Sequence, residues 1–195
     1  MAAKRTGPVL GSSAPSLRHD PRLETYVSRA APLLRPATLN DAPRLHHIAE
    51  CLALGRLQRH KVPLDRTGFL VSAFSADDYE AWAQRADHFL VLQVEGSVVG
   101  FVLAYSSERV DRAKEELNAH ILDALCPRFV LIKQICVHPE HAGRGYAQRL
   151  YRELFARVAH FDAASRTPGK PRPMYAAIVE RPPNPRSMRF HEGMG

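Results

Sequence analysis

The chain has 195 residues, 45% of them hydrophobic and 24% charged, with a formal net charge of +7. That length suits one domain with a real core, and the composition is that of an ordinary globular protein, which excludes collagen-like and low-complexity classes. No apolar run is long enough to span a bilayer, and Met1-Ala2-Ala3-Lys4-Arg5 leads into Gly, Ser and Pro, so no secretory signal is visible, no membrane partner is expected and the cytoplasm is the expected compartment.

The charge is unevenly spread. Lys and Arg stand against Asp and Glu as five to two over residues 1–34, twelve to thirteen over 35–139, and ten to five over 140–195, or +3, −1 and +5. A basic excess at the two ends favours anionic partners: nucleic acid, acidic lipid or a phosphorylated cofactor. The three cysteines, Cys51, Cys126 and Cys136, are far apart and include no CxxC pair, so free thiols are expected rather than a disulfide frame or a zinc ribbon.

Residues 1–32 read as a flexible basic tail, punctuated by Gly7-Pro8, Gly11-Ser12-Ser13 and Asp20-Pro21. The domain is expected to occupy residues 33–195, beginning with a short strand near Leu33 to Thr38 whose proline suits a strand end. Asn40-Asp41 offers a helix cap, and Leu45, Ile48, Ala49 and Leu52 follow at helical spacing. His46 and His47 point to different helix faces and read as surface residues. Ser75-Ala76-Asp77-Asp78 is a capping-box start for a helix through Trp82, which is expected in the core.

His88 to Val94 and Val98 to Tyr105 flank the turn Glu95-Gly96-Ser97, an antiparallel hairpin signal. Ser107 to Leu125 is charged and reads as a helix, stopped by Pro127. Phe129 to Val137 is the most apolar segment and reads as a central strand. A turn, His138 to Gly143, leads to a helix from Arg144 to Phe161. Met174 to Val179 is a further strand, and Asn184 caps a last helix with Pro185 at its first position. The order predicts an α/β (α+β) fold: a mixed, mostly antiparallel central sheet flanked by helices.

The chemistry-bearing stretch is Ile135-Cys136-Val137-His138-Pro139-Glu140-His141-Ala142-Gly143-Arg144-Gly145-Tyr146-Ala147-Gln148. A buried strand runs into a glycine turn and a basic helix. The first N–H groups of a helix point outward with partial positive charge, and glycines let an anion approach the backbone. A phosphate or pyrophosphate is therefore expected at this helix start, with Arg144 adding formal charge. The spacing matches neither the G-x-x-x-x-G-K-S/T loop nor G-x-G-x-x-G, and a capped core helix whose glycines merely close a turn is the plain structural alternative.

Ala142-Gly143-Arg144-Gly145-Tyr146-Ala147 resembles the Q/R-x-x-G-x-G/A turn of the GNAT acetyltransferase superfamily, with Gly145 and Ala147 matching and Ala142 in place of Gln or Arg. The late pattern Asn184-x-x-Ser187-x-x-Phe190-His191-x-x-x-Gly195 resembles the family's N-x-x-A-x-x-F-Y-x-x-x-G-F, and the Pro-Pro-Asn-Pro and Phe-His forms look like a poorly characterised bacterial branch. The resemblance implies acyl transfer from acetyl-coenzyme A to a primary amine by direct attack in a ternary complex. It implies that backbone at Ile135, Cys136 and Val137 lies along the pantetheine arm. The amides of Gly143, Arg144, Gly145, Tyr146, Ala147 and Gln148 would hold the pyrophosphate, and Asn184 would orient the pantetheine or cap the last helix. His191 stands where the family often has a tyrosine that serves the leaving thiolate, and imidazole can donate that proton. Some relatives place a glutamate early on the fourth strand; Leu131 stands there, and Glu180 is the nearest acidic candidate for the base, with a water chain as the alternative.

The acceptor is expected to be a small-molecule or peptide amine, and a homodimer is compatible with the family. The alternative function is a non-catalytic acyl-coenzyme-A-binding or regulatory module, permitted by Ala142 and the missing base. Nucleic-acid binding is not expected, since the basic residues lack aromatic interleaving. Cys136-x-His138-x-x-His141 matches no strong zinc pattern and contains Pro139, so no metal is expected. The family pattern continues past Gly195, so the sheet is expected to lack its last one or two strands.

Overall fold

The computed structural model describes residues 31–65, 67–71, 73–110, 127–164 and 172–194. The tail over residues 1–30, most of the expected helix between Ser107 and Leu125, and the loop over 165–171 lie outside the described residues.

Strand β1 (Leu33–Pro36) is followed by a 3-10 turn (Leu39–Asp41), α1 (Ala42–Leu52), α2 (Leu54–Arg59) and α3 (Ala76–Arg85). The hairpin strands β2 (His88–Val94) and β3 (Ser97–Ser106) come next, then β4 (Val130–Val137), α4 (Tyr146–Ala164), β5 (Met174–Ala176) and α5 (Pro185–Glu192). The sheet order is β1-β2-β3-β4-β5, antiparallel except for the parallel pair β4–β5. The mixed, mostly antiparallel sheet read from the sequence is the one observed.

Two apolar layers explain why β2 and β3 are nearly continuous runs of hydrophobic residues rather than alternating ones: both faces are covered. Phe89, Val91, Phe101, Leu103 and Tyr105 pack with Leu45, Ile48, Tyr79 and Trp82 of α1 and α3. Leu90, Leu92, Val102 and Ala104 pack with Leu150, Tyr151, Leu154 and Val158 of α4. Trp82 is core, as expected, stacked on Tyr105 at 4.7 Å. The Tyr79 hydroxyl donates to Gln134 Oε1 at 2.7 Å, which satisfies a polar pair buried in the α1–α3 layer.

Capping follows the sequence closely. Ser75 Oγ accepts from Asp78 N–H while the Asp78 carboxylate accepts from Ser75 N–H, both at 3.1 Å. Asp41 stands at the N-cap of α1, but its side chain makes no cap bond to that helix. Its carboxylate accepts from Thr38 N–H and takes both ends of the Arg35 guanidinium, at 2.7 and 2.8 Å, fastening β1 to the start of α1. That guanidinium holds the Asp41 carboxyl below the usual range.

Three elements differ from the sequence reading. The stretch after Leu52 contains a further short helix, α2, which carries little periodicity to announce it. Helix α4 begins at Tyr146 rather than Arg144, because Gly143 and Gly145 adopt φ of 76° and 75°, outside helical geometry. Strand β5 ends at Ala176 rather than Val179, because its partner changes. Leu103 pairs with Gln134 and Ala104 with Ile132, so Lys133 is an extra residue in β4, and the parallel pairing with β5 stops at Ile132↔Ala176, just before it.

Candidate functional site

The bulge at Lys133 gives β4 two different halves. Val130 to Ile132 pair on both sides, with β3 and β5. From Gln134 to Val137 the strand keeps its β3 partner, but β5 has ended. Which peptide groups face the open side follows from antiparallel alternation. His138 N–H donates to Val99 C=O at 2.8 Å, so its peptide points toward β3. Cys136, two residues earlier, has the same parity, and its carbonyl lies 2.8 Å from where a Cβ on Gly100 would stand. The peptide groups of Ile135 and Val137 therefore face the free edge. Of the three strand residues singled out from the sequence, Cys136 is turned the other way. Its side chain is 1% exposed in the α1–α3 layer, and burial pushes its thiol far up from the ordinary value.

The free edge leads straight into the glycine turn. After β4 come a 3-10 turn (Pro139–His141), Ala142, Gly143, Arg144 and Gly145, then α4. The first helical bond of α4 is Arg149 N–H to Gly145 C=O at 3.1 Å, and helix geometry leaves the N–H groups of Tyr146, Ala147 and Gln148 without an intrahelical acceptor. A Cβ on Gly143 would meet nothing within 4 Å, and one on Gly145 would meet only Gln148 Oε1 at 4.0 Å. Space stands open over the turn, and the left-handed φ values favour glycine at both positions. Arg144 is exposed and its Nη2 donates to Glu140 C=O at 3.2 Å, which folds the side chain back beside the turn. Such a cradle can hold an anion.

Helix α5 packs on the same side of the sheet: Phe190, like Ile135, Val137 and Tyr146, lies against the layer that contains Tyr151. His191 Nδ1 is 2.5 Å from the Tyr151 hydroxyl. Burial lowers the His191 imidazole from its ordinary value and raises the Tyr151 phenol. Ile135, Val137 and the turn residues thus follow one another along one edge, and His191 contacts Tyr151 of the helix that the turn opens. Tyr151 was not singled out from the sequence, where it reads only as another apolar position of the helix.

Asn184 is 3% exposed and used at both ends of its amide. Oδ1 accepts from Ser187 N–H at 3.3 Å, and Nδ2 donates to Phe69 C=O at 2.9 Å. It caps α5 and ties it to the segment before α3. Glu180 is exposed in the turn after β5, and no hydrogen bond or ion pair among the described residues holds it. Leu131, which stands where some relatives have a glutamate, is a core residue.

Histidines collect on the other face of this region. His47 is exposed, as the sequence suggested, and also stacks on His138 at 5.7 Å, while Cys51 Sγ lies 3.9 Å from His47 Nε2 and 3.8 Å from His138 Nε2. His46 instead contacts Phe74 C=O through Nδ1 at 2.7 Å. At the far end of the sheet, a polar depression lined by Asp87, Ser106, Glu108, Arg128 and Arg172 is internally neutralised. Arg172 bonds Asp162 at 2.7 Å and Glu108 at 3.2 Å, and Ser106 bonds Asp87.

A mixed sheet with a strand that loses its partner halfway, followed by a glycine turn and a bare helix start, defines the N-acetyltransferase class of fold. The Acetyltransferase (GNAT) family matches residues 60–195, and the chain belongs to that family. No curated protein matches the sequence. Among solved structures, an aminoglycoside N-acetyltransferase in complex with coenzyme A superposes with a TM-score of 0.52 at 16% identity, covering 85% of this chain and 87% of that one. Diaminobutyrate acetyltransferase from Paenibacillus lautus, in complex with its substrate and coenzyme A, gives 0.52 at 16% identity, covering 84% and 74%. Ard1 from Thermoplasma volcanium gives 0.54 at 14% identity, covering 85% and 82%. At these identities the likeness is one of fold. No helix among the described residues is long and apolar enough to cross a membrane.

Proposed function

We propose that this chain transfers an acetyl group from acetyl-coenzyme A to a primary amine on a small molecule or peptide, by direct attack within a ternary complex. The observation that carries the reading is the continuity of the free β4 edge with the open turn at Gly143 and Gly145. A pantetheine arm carries amides and can add to a strand edge as another strand does, using the peptide groups of Ile135 and Val137. One turn further on, its pyrophosphate meets the N–H groups of Tyr146, Ala147 and Gln148, with Arg144 as the local cation. Two proteins that share the fold were solved with coenzyme A, which supports coenzyme A as the ligand class.

Acetyl-coenzyme A supplies an activated thioester. The amine nitrogen bonds to the acetyl carbon, the carbon–sulfur bond breaks, the new amide nitrogen sheds a proton and the sulfur gains one. His191 serves the sulfur. Burial keeps its imidazole neutral at neutral pH. With Tyr151 O–H donating to Nδ1 across 2.5 Å, the remaining proton sits on Nε2 and donates a hydrogen bond that stabilises the departing thiolate, which takes its own proton from water. Tyr151 is thus a positioning residue. Proton removal from the amine falls to water or to Glu180, which is exposed in the turn after β5. Asn184 acts by holding α5, and so His191, in place.

Titration calorimetry with acetyl-coenzyme A, followed by a thiol-release assay over a broad amine panel, tests this. Binding with release is the expected result. No binding overturns the reading, and binding without release across the panel favours the non-catalytic module instead.

A further inference from the structure

We propose that His47, Cys51 and His138 form a binding site for a divalent metal of borderline softness, of which Zn²⁺ is the representative. One donor atom from each lies within 4.8 Å of the others. Cys51 Sγ is 3.9 Å from His47 Nε2 and 3.8 Å from His138 Nε2. Zinc–sulfur and zinc–nitrogen bonds of about 2.3 and 2.0 Å place tetrahedral ligand atoms roughly 3.5 Å apart. A few tenths of an ångström of side-chain movement therefore closes the two sulfur–nitrogen separations onto an ion.

The scaffold suits the task. His47 and Cys51 are four residues apart on α1, one turn on the same face. His138 comes from the end of β4, and its peptide is fixed by the bond to Val99. Both imidazoles turn Nε2 toward the thiol, which leaves Nδ1 of each on the outside. His138 Nδ1 is buried and has no hydrogen-bond partner, and Glu140 Oε2 stands 3.8 Å from it. Metal-bound histidines usually donate their second N–H to a carboxylate, and Glu140 is placed to become that acceptor once Nδ1 carries the proton. Arg44, whose Nε donates to Val98 C=O at 2.9 Å, is the nearby positive charge and disfavours a protonated His138.

His47 is exposed and Cys51 half-buried, so the fourth coordination position faces water. The ion would clamp α1 to the residue from which the glycine turn departs. The site uses one thiolate and two neutral imidazoles, a set that suits Zn²⁺ and Co²⁺ and discriminates against Mg²⁺ and Ca²⁺, which take oxygen ligands. It differs from the Cys136–His138–His141 spacing visible in the sequence, since Cys136 is enclosed in the core. The inference does not depend on the acetyl-transfer reading.

Co²⁺ titration of the reduced full-length chain provides the test. The expected result is saturation at one equivalent, a thiolate-to-cobalt absorption band with tetrahedral visible bands, displacement by Zn²⁺, and a higher melting temperature with Zn²⁺. Cys51→Ser should lose the thiolate band, and His47→Gln should weaken binding at least tenfold. His47 is exposed, so that variant should keep its fold, checked by circular dichroism. Absence of a thiolate band, or a band that survives both substitutions and so arises from another cysteine, overturns the proposal.

Discussion

Replacing Gly145 separates the charge of the turn from its backbone shape. At φ of 75°, any residue with a Cβ pays a left-handed penalty of about 1–2 kcal/mol. Steric cost is small, since the nearest atom to a Cβ there is the flexible Gln148 Oε1 at 4.0 Å. Gly145→Gln and Gly145→Glu share that strain and nearly share a size, so each should lower the melting temperature by roughly 2–8 °C. They differ by one negative charge beside the helix start. Against a bound phosphate about 4 Å away, that charge costs about 1 kcal/mol if water screens it fully and about 4 kcal/mol at an intermediate dielectric. Coenzyme A affinity should therefore fall about fivefold to several hundredfold further in Gly145→Glu than in Gly145→Gln. Calorimetry at low and high salt reads the difference, and screening should shrink it. Equal affinity of the two variants at low salt would falsify an anion site at this turn.

Gly100→Ala should destabilise the fold by about 1–3 kcal/mol, because its Cβ would stand 2.8 Å from the Cys136 carbonyl and 3.1 Å from Val137 Cγ2. Denaturant unfolding measures that loss, and weaker coenzyme A binding should accompany it, since the displaced segment carries the free edge. His191→Phe should reduce turnover about 100-fold with little change in coenzyme A affinity. Tyr151→Phe should fall between it and the parent, and unchanged turnover in His191→Phe removes that residue from catalysis. Stability should decline on acidification. Burial holds His88 and His191 below their ordinary 6.5, so the unfolded chain binds protons first. The stability they contribute is fully present above the unfolded value of about 6.5 and is lost as pH falls through the lowered folded values. Around His88, Asp87 and Asp162 pull the other way while Arg157 and Arg172 reinforce the shift. Melting curves between pH 8 and 5 should show the fall, with a flatter slope in His88→Gln.

The +5 excess over residues 140–195 coincides with the stretch that holds Arg144 and the glycine turn, and the polyanionic coenzyme proposed above would be complementary to it. The +3 of residues 1–34 falls wholly outside the described residues.

What the sequence by itself determined is local. Ser75 and Asp78 lie three residues apart and close their capping box within one turn. The hairpin needs only Glu95-Gly96 between two β-branched runs. Gly143 and Gly145 announce a turn that other residues resist, and Asn184 with Pro185 announces a helix start. Each signal rests on neighbours in the chain, so it survives without knowledge of what packs above it. The tertiary structure decided what depends on residues far apart. Only the pairing of β4 with both neighbours reveals that Lys133 is a bulge and that β5 stops there. From that follows which peptides, those of Ile135 and Val137 and not Cys136, face the open edge. Tyr151 meets His191 across 40 residues and Cys51 meets His138 across 87. The i, i+4 spacing of His47 and Cys51 was legible as a shared helix face, but their third partner was not, because α1 reaches the end of β4 only once the sheet has formed beneath it.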